Sequence, residues 1–401
     1  MYLSPNQKAM RRLLRNRSAV FGLVVIIFAT IIALFGYYIA PDHTPDANNQ
    51  ILEIANQPPA FKAQILQQIK PTPVKKTNIF LQLFSGAETP YKSIPINNYS
   101  FDGGKLIVQK YNNNQTAIPA DTLLLPAILY RLADSASVQI MGNKISFIGD
   151  NGLQQTADVK TLQNEISQKH IVQKTYWLGT DKFGRDNLSR LILGVRISLS
   201  VGLMAVLIAL FIGITLGSVA GYFGGLIDDI IMWIISVFWP IPLLLLVFAL
   251  VLAMGRDFWQ IYLAVGLTMW VEVARMVRGQ VLSMRQKEFV EAAHSLGVGH
   301  KQIIFKHILP NIMGPIVVVA ASDFASAIII EAGLSFLGIG VQPPTPSWGS
   351  MLNEYYAYIG TSKAFLALIP GLAIMLLVLA FNLLGNGLRD ALDVKGNLTK
   401  R

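Results

Sequence analysis

The sequence contains no cysteine in 401 residues. Disulfide bonds, zinc thiolate sites and thiol catalysis are therefore excluded. The five histidines have no metal-ligand spacing: two lie in a polar stretch and three in a basic loop. No serine, histidine and carboxylate arrangement suggests a hydrolase. We predict no metal site and no catalytic residue in this chain.

Charge is also scarce. Charged residues make up 14% of the chain and apolar residues 53%, whereas soluble domains are about one quarter charged. The formal net charge of +10 could indicate nucleic acid binding, but Lys and Arg flank apolar segments and no aromatic-plus-basic module is present. The composition predicts a membrane protein that does not bind nucleic acid.

Six apolar segments are long enough to cross a bilayer, which takes about 20 residues. They are Val20–Ile39, Leu199–Val219, Ile230–Met254, Trp259–Val277, Ile312–Ile330 and Phe365–Leu384. The first is too long for a signal peptide, so we read it as an uncleaved span. Pro240 and Pro242 should kink the third. We expect an all-α polytopic membrane protein of six transmembrane helices.

The basic residues predict an orientation. Residues 1–19 carry five Lys or Arg, residues 275–306 carry six, and the tail 395–401 is also basic. Because cytoplasmic loops are enriched in Lys and Arg, both termini and the loop between spans four and five should be cytoplasmic.

Residues 41–174 form a polar insert between spans one and two, which this orientation places outside the membrane. Its patterns predict helices at Ala60–Lys70 and Asp121–Leu132 and strands at Lys105–Tyr111 and Ser137–Ile148, the last turning at Gly142-Asn143. We expect a small α+β extracytoplasmic domain. It is either a packing or spacer insert or a docking surface for an external partner.

The loop 288–310 has helical spacing broken by a glycine. Gly297 can adopt the left-handed conformation that ends a helix. An apolar face is predicted from Phe289, Ala292, Ala293 and Leu296, continued by Val298, Ile303 and Ile304. A second short helix should follow, with a proline opening the next span. Such a hairpin lies on lipid or needs a protein to cover it.

The spacing in this loop is specific. Glu291-Ala292-Ala293 is followed four residues later by Gly297, and Leu309-Pro310 stand twelve and thirteen residues further on. The pattern resembles the EAA loop of bacterial ABC importer permeases, with His307 where the pattern has an isoleucine. Further blocks resemble the C-type permeases of the dipeptide, oligopeptide and nickel transporters. They are Gly179–Asp186, Gly221–Gly225, Ala274–Val281, Glu331–Gly338, Val341–Gly349 and Gly387–Asp393.

The resemblance implies a permease core at 175–394 with the type I importer fold, in the bacterial cytoplasmic (inner) membrane. It further implies a heteromeric complex with a B-type permease, one or two ABC ATPases docked on the EAA loop, and an extracytoplasmic solute-binding protein. The cargo would be short peptides, with nickel or another small solute as the alternative. The chain has no phosphate-binding loop, so ATP and Mg would be bound by the ATPase chains, and this subunit would not be an enzyme.

A stand-alone secondary transporter or channel is the competing class. It predicts inverted repeats, which the two halves of the sequence do not display. Two carboxylates, Asp323 and Glu331, fall eight residues apart in span five and thus on one helical face. Because carboxylates within a membrane usually face the bundle interior or a water path, both are candidate pathway residues for a cationic amine or metal. For Glu331 the alternative is an interfacial residue that caps the next helix.

Two positions depart from the family. Trp233 and Ser236 stand where the family commonly has an arginine and an aspartate. Both partners of an i,i+3 ion pair are therefore missing together, which avoids stranding one charge in the membrane. These departures and the large insert argue against naming the solute by analogy.

Overall fold

A computed structural model describes residues 5–74, 78–112, 119–134, 137–255 and 258–392. The predicted C-terminal tail 395–401 lies outside them. The chain divides into two compact units, Met1–Ala33 with Gly194–Arg401, and Leu34–Leu193.

Helices dominate the first unit, and shorter ones also occur in the second. In chain order the helices are α1 Pro5–Leu13, α2 Arg17–Ile39, α3 Ile79–Ser85, α4 Leu125–Leu129, α5 Val159–Glu165, α6 Asn187–Phe223, α7 Gly225–Phe238, α8 Leu243–Met254, α9 Phe258–Arg285, α10 Glu288–Ser295, α11 His300–Gln302, α12 Leu309–Phe336, α13 Trp348–Tyr355 and α14 Phe365–Leu392. Long uncharged runs form helices because a helix satisfies its own backbone polar groups, which lipid cannot do.

Four helices within the described residues are long and apolar enough to cross a membrane: α2, α6, α14, and the helix that runs from His300 to Phe336. The pair α7 and α8 is bent by 90° at the prolines that predicted the kink, and it counts as a fifth if the two helices form one span. Helix α9 contains Glu272 and Arg275 and does not qualify by composition. The predicted fold class is confirmed, while the count of six spans stays a prediction.

Helices α6 and α9 approach closely along a stripe of glycines. Gly213, Gly217 and Gly221 recur every four residues on α6, and a Cβ at any of them would meet α9. At Gly217 it would lie 2.5 Å from the carbonyl oxygen of Ala274. Small residues at this spacing let helix backbones touch, which is how helices associate in lipid.

The second unit contains the sheets. Its strands are β1 Phe61–Ile69, β2 Tyr91–Asp102, β3 Lys105–Lys110, β4 Asp121–Leu124, β5 Gln139–Met141, β6 Lys144–Ile148, β7 Gln154–Asp158 and β8 Ile171–Tyr176. One antiparallel sheet has the order β4-β3-β2-β1-β8 and the other β5-β6-β7. The strand predictions at 105–111 and 137–148 are confirmed, including the turn at Gly142, where φ is +59°.

The two predicted helices of the insert are wrong in whole or in part. Within the first, residues 61–69 form strand β1, paired with β2 on one side and β8 on the other. Because this strand is central, Ala63 and Ile65 bury into one cluster and Leu66 into another. Burial on both faces removes the period-two alternation by which a strand is recognised. Residues 121–124 form β4, and only 125–129 are helical.

A buried ion-pair network lies in the second unit around the start of α6. The guanidinium nitrogens of Arg185 and Arg190 lie 2.6 and 3.0 Å from Oδ2 of Asp181. Ser189 donates to Asp186 at 2.5 Å and accepts the backbone N–H of Asp42 at 2.9 Å. Burial raises the pKa of Asp186, against the opposing hydrogen bond from Ser189. This network joins the segment after α2 to the segment that begins α6.

Candidate functional site

Helix α10 ends in a Schellman motif. The N–H of Val298 donates to the carbonyl of Ala293 at 3.1 Å, and the N–H of Gly297 donates to that of His294 at 3.0 Å. Gly297 has a φ of +75°, and a Cβ there would meet no atom within 4 Å. Glycine is therefore required by the backbone conformation and not by a lack of space.

The segment 288–310 has an inner and an outer face. Val290 and Ala293 on α10, with Ile303, Ile304 and Ile308 beyond the turn, bury in the core formed with α9 and α12. Phe289, Ala292 and Leu296, at spacing i, i+3 and i+7, lie on the flank of α10 beside this buried side and form the exposed outer face, and Phe305 is exposed beyond the turn. The apolar face predicted from the sequence is thus split: Phe289, Ala292 and Leu296 share an exposed row, whereas Ala293, Ile303 and Ile304 pack inward.

The predicted second short helix is instead the start of a long one. Helix α11 leads through a π-helical turn at Ile303–Ile308 into α12, so that a continuous helix runs from His300 to Phe336. Leu309 and Pro310 begin α12. The side chain of Asn311 donates to the carbonyl of His307 at 2.6 Å.

One polar contact ties this region to α6, and a second joins the helices α7 and α9. The hydroxyl of Tyr222, near the end of α6, lies 2.9 Å from Nδ1 of His300. Arg278 of α9 donates to both carboxylate oxygens of Asp228 of α7, at 2.5 and 2.6 Å. A bidentate guanidinium–carboxylate pair fixes orientation as well as distance.

Asp323 lines a cleft in the first unit. Only 5% of the residue is exposed, and its Oδ2 has no hydrogen-bond partner. The cleft has a volume of about 250 Å³, and its wall includes Glu272 of α9 and the aromatic residues Phe238 and Trp239.

Glu331 has a different environment. It is fully buried, and three serines hold its carboxylate. Ser335 donates at 2.8 Å, Ser198 of α6 at 3.5 Å, and Ser347 also forms a hydrogen bond. Ser347 is the N-cap of α13. The geometry joins three helices and favours the capping and packing role over the pathway role.

Two family models match the sequence. The one described as the inner membrane component of binding-protein-dependent transport systems matches residues 213–395. The one described as the N-terminal membrane domain of oligopeptide transport permease C matches residues 4–59.

Curated relatives match a little more than half of the chain. The dipeptide transport permease DppC of Alkalihalophilus pseudofirmus is 44% identical over 220 residues, which are 55% of this chain and 72% of the relative. The chain belongs to the C-type permeases of the peptide ABC importers. The glutathione permease GsiD of Pectobacterium atrosepticum is 46% identical over 55% of this chain and 73% of the relative. The oligopeptide permease OppC of Haemophilus influenzae is 40% identical over 58% and 74%.

A solved structure of the MetNI methionine ABC transporter aligns with 51% of this chain and 96% of the solved one, at 18% identity and a TM-score of 0.43.

Membership confirms the resemblance and favours a subunit of an ABC importer over a stand-alone transporter or channel. As a C-type permease, the chain is a multi-pass protein of the inner membrane. The two departures from the family are both exposed on α7, where Ser236 donates to the carbonyl of Met232 on its own helix.

Sequence reasoning missed the Asp228–Arg278 pair and the α6 glycine stripe. The pair joins residues fifty positions apart, and no local pattern signals it. The glycine stripe did carry a signal, since three glycines spaced by four in an apolar run mark a close helix contact.

Proposed function

We propose that this chain is the membrane-spanning subunit of an ATP-driven importer of short peptides, coupled to separate ATPase chains through the outer face of 288–310. The names of the relatives, which refer to dipeptide, oligopeptide and glutathione transport, support the cargo class. The observation that carries the coupling role is the exposed apolar row Phe289, Ala292 and Leu296 on a segment whose other side is buried in the bundle.

The partners follow from this role. A B-type permease completes the pathway, one or two ABC ATPases bind ATP and Mg, and an extracytoplasmic binding protein delivers the peptide. Both termini and the 288–310 segment face the cytoplasm, as the distribution of Lys and Arg supports. Among the site residues, Glu291, Ala292, Ala293, Gly297, Leu309 and Pro310 belong to the coupling segment, Asp323 belongs to the pathway, and Glu331 positions α13.

The mechanism requires rigid transmission. Because α11 is continuous with α12, a push on the outer face displaces a spanning helix instead of bending a hinge. The Asp228–Arg278 pair and the Tyr222–His300 contact make α6, α7 and α9 follow that displacement. ATP-driven closure of the ATPases would thus rock several spans together.

Reconstitution tests this function. The complex is purified through a tag on this chain, its other chains are identified by mass spectrometry, and uptake of alanyl-alanine into proteoliposomes is measured. We expect uptake to require ATP and the binding protein. The variant Leu296→Glu should abolish coupled uptake, while Leu296→Met, which keeps an apolar side chain, should retain it. Uptake at an undiminished rate without any ATPase chain would refute the proposal.

A further inference from the structure

We propose that the cleft beside Asp323 binds a positively charged ammonium group of the transported solute. This inference rests on the proposed import function and goes further, because it assigns a contact and a charge to the pathway. Asp323 and Glu272 come from two different helices, α12 and α9, and line the same cleft. The cleft is therefore built by the packing of two helices and not by residues that are neighbours in the sequence.

The unpartnered carboxylate oxygen is the decisive feature. The two hydroxyl side chains in the wall bond to their own helices: Thr268 donates to Val265 at 2.8 Å and Ser326 to Ser322 at 3.2 Å. Oδ2 of the buried Asp323 has no such partner. Because a buried polar atom without a hydrogen bond is costly, its presence indicates a partner that arrives with the solute.

The aromatic wall suits a cation. Phe238 and Trp239 line the cleft, and aromatic faces attract ammonium groups. The guanidinium of Arg275 already lies over the Trp239 ring, 3.8 Å from its centroid, so this ring is held in place. The volume of about 250 Å³ is below the 300–1,000 Å³ of a pocket that encloses a drug-sized ligand. The cleft therefore takes one end of a peptide and not the whole molecule.

The absence of cysteine gives a direct test. Ser326→Cys, in the wall of the cleft, is treated in the purified complex with a cationic and an anionic methanethiosulfonate, and modification of this chain is followed by mass spectrometry. We compare the ratio of the cationic to the anionic modification rate at position 326 with the same ratio for a small free thiol. The ratio at position 326 should be higher by about tenfold or more. Adding Asp323→Asn should remove most of this preference. Adding Glu331→Gln, at a buried carboxylate that serines hold, should leave it unchanged.

Ligand protection tests the chemical class. Alanyl-alanine should slow the modification at position 326, and N-acetyl-alanyl-alanine, which lacks the ammonium group, should not. Three outcomes would each overturn the inference. Position 326 could be unreactive with and without ATP, the preference for the cationic reagent could survive Asp323→Asn, or both peptides could protect equally. Alanyl-alanine uptake measured on the same preparation separates this failure from a failure of the proposed function.

A second, independent observation concerns helix α3 of the sheet-bearing unit. Its Phe80, Leu81 and Phe84 are exposed, Phe80 at 77%. The residue after α3, Gly86, is pressed against the C-terminal end of α2: a Cβ there would lie 2.8 Å from the ring of Tyr37, and Ala87 donates to the carbonyl of His43 at 2.9 Å.

We infer that α3 lies in the headgroup region of the bilayer. Helix α2 has 23 residues and spans about 34 Å, slightly more than the roughly 30 Å hydrocarbon core, so its end lies at the membrane boundary. The exposed Tyr38 and Ile39 continue its lipid-facing surface there. An apolar helix held at this depth buries its exposed side chains in the interface.

Spin labelling tests this placement in nanodiscs. A label at Phe84→Cys should be accessible to oxygen and shielded from a water-soluble nickel chelate, whereas a label at Leu153→Cys, on another exposed apolar residue of the same unit, should be accessible to the chelate. Equal chelate access at both positions would contradict the inference. So would shielding of position 84 from both reagents, which would indicate a protein partner.

Discussion

Gly297 and Gly299 lie on the same turn but have different backbone conformations. Gly297 has a φ of +75°, whereas Gly299 has an extended conformation with a φ of −64°. Neither has a neighbour that a methyl group would strike. The two positions therefore separate backbone strain from crowding within a single loop.

Gly297→Ala should destabilise the Schellman turn by about 1–2 kcal/mol, since an L-residue is strained in the left-handed region. Hydrogen exchange of the Gly297 and Val298 amides should then be roughly tenfold faster, and coupled uptake should fall. Gly299→Ala is the matched control and should change neither. Equal effects of both substitutions would show that the turn does not depend on the conformation of Gly297.

The buried carboxyl of Asp186 should make the free energy of unfolding depend on pH. Because burial raises its folded pKa above the usual 3.8, the native state holds a proton more readily than the unfolded state. The stability from this group is fully present below pH 3.8 and is lost as pH rises through the folded pKa.

Asp186→Asn should therefore raise the unfolding temperature at pH 8, and its advantage over the wild type should shrink as the pH falls toward 4. Thermal unfolding in detergent measures this. Asp150→Asn, at an exposed carboxyl of the same unit, is the control and should have little effect. A variant that unfolds at a lower temperature than the wild type at pH 8 would contradict the raised pKa.

Helices and turns with local chemistry could be predicted, and contacts between distant elements could not. Helix α10 and its end at Gly297 follow from spacing and one residue. The sequence of strand β1 predicts a helix because its apolar residues pack into two different clusters, which removes the alternation typical of a strand. Only the pairing with the neighbouring strands identifies it as a strand. Similarly, the unpartnered Asp323 oxygen and the serines around Glu331 depend on packing between helices, so the sequence could nominate both carboxylates but not distinguish them.

At the α6–α9 contact, Gly217→Ala should cost about 1–3 kcal/mol, because the added methyl group would meet backbone atoms that cannot move aside. Gly279→Ala on α9 is the matched control: nothing lies within 4 Å of its added Cβ, and alanine is the better helix former. We expect the first variant to unfold at a lower temperature in detergent and the second to unfold at or above that of the wild type. Equal unfolding temperatures would mean that α6 and α9 do not pack closely.

On the scale of the whole molecule, the chain combines a helical unit that matches the family with a sheet-bearing unit of 160 residues, Leu34–Leu193. The first carries the coupling segment and the Asp323 cleft, and the second carries the buried Asp181 network. We propose that the coupling segment faces the cytoplasmic ATPases and that the sheets face the other side of the membrane. The coupling role of the 288–310 segment depends on this polarity.

Site-directed photocrosslinking tests that polarity most directly. In the cysteine-free chain, a benzophenone label is attached at Leu296→Cys, where the native residue is 83% exposed, or at Leu153→Cys in the sheet-bearing unit. The crosslinked chains of the purified complex are identified by mass spectrometry. We predict that position 296 crosslinks to an ATPase chain and that position 153 does not. Crosslinking of position 296 to lipid alone, or of position 153 to the ATPase, would contradict the account.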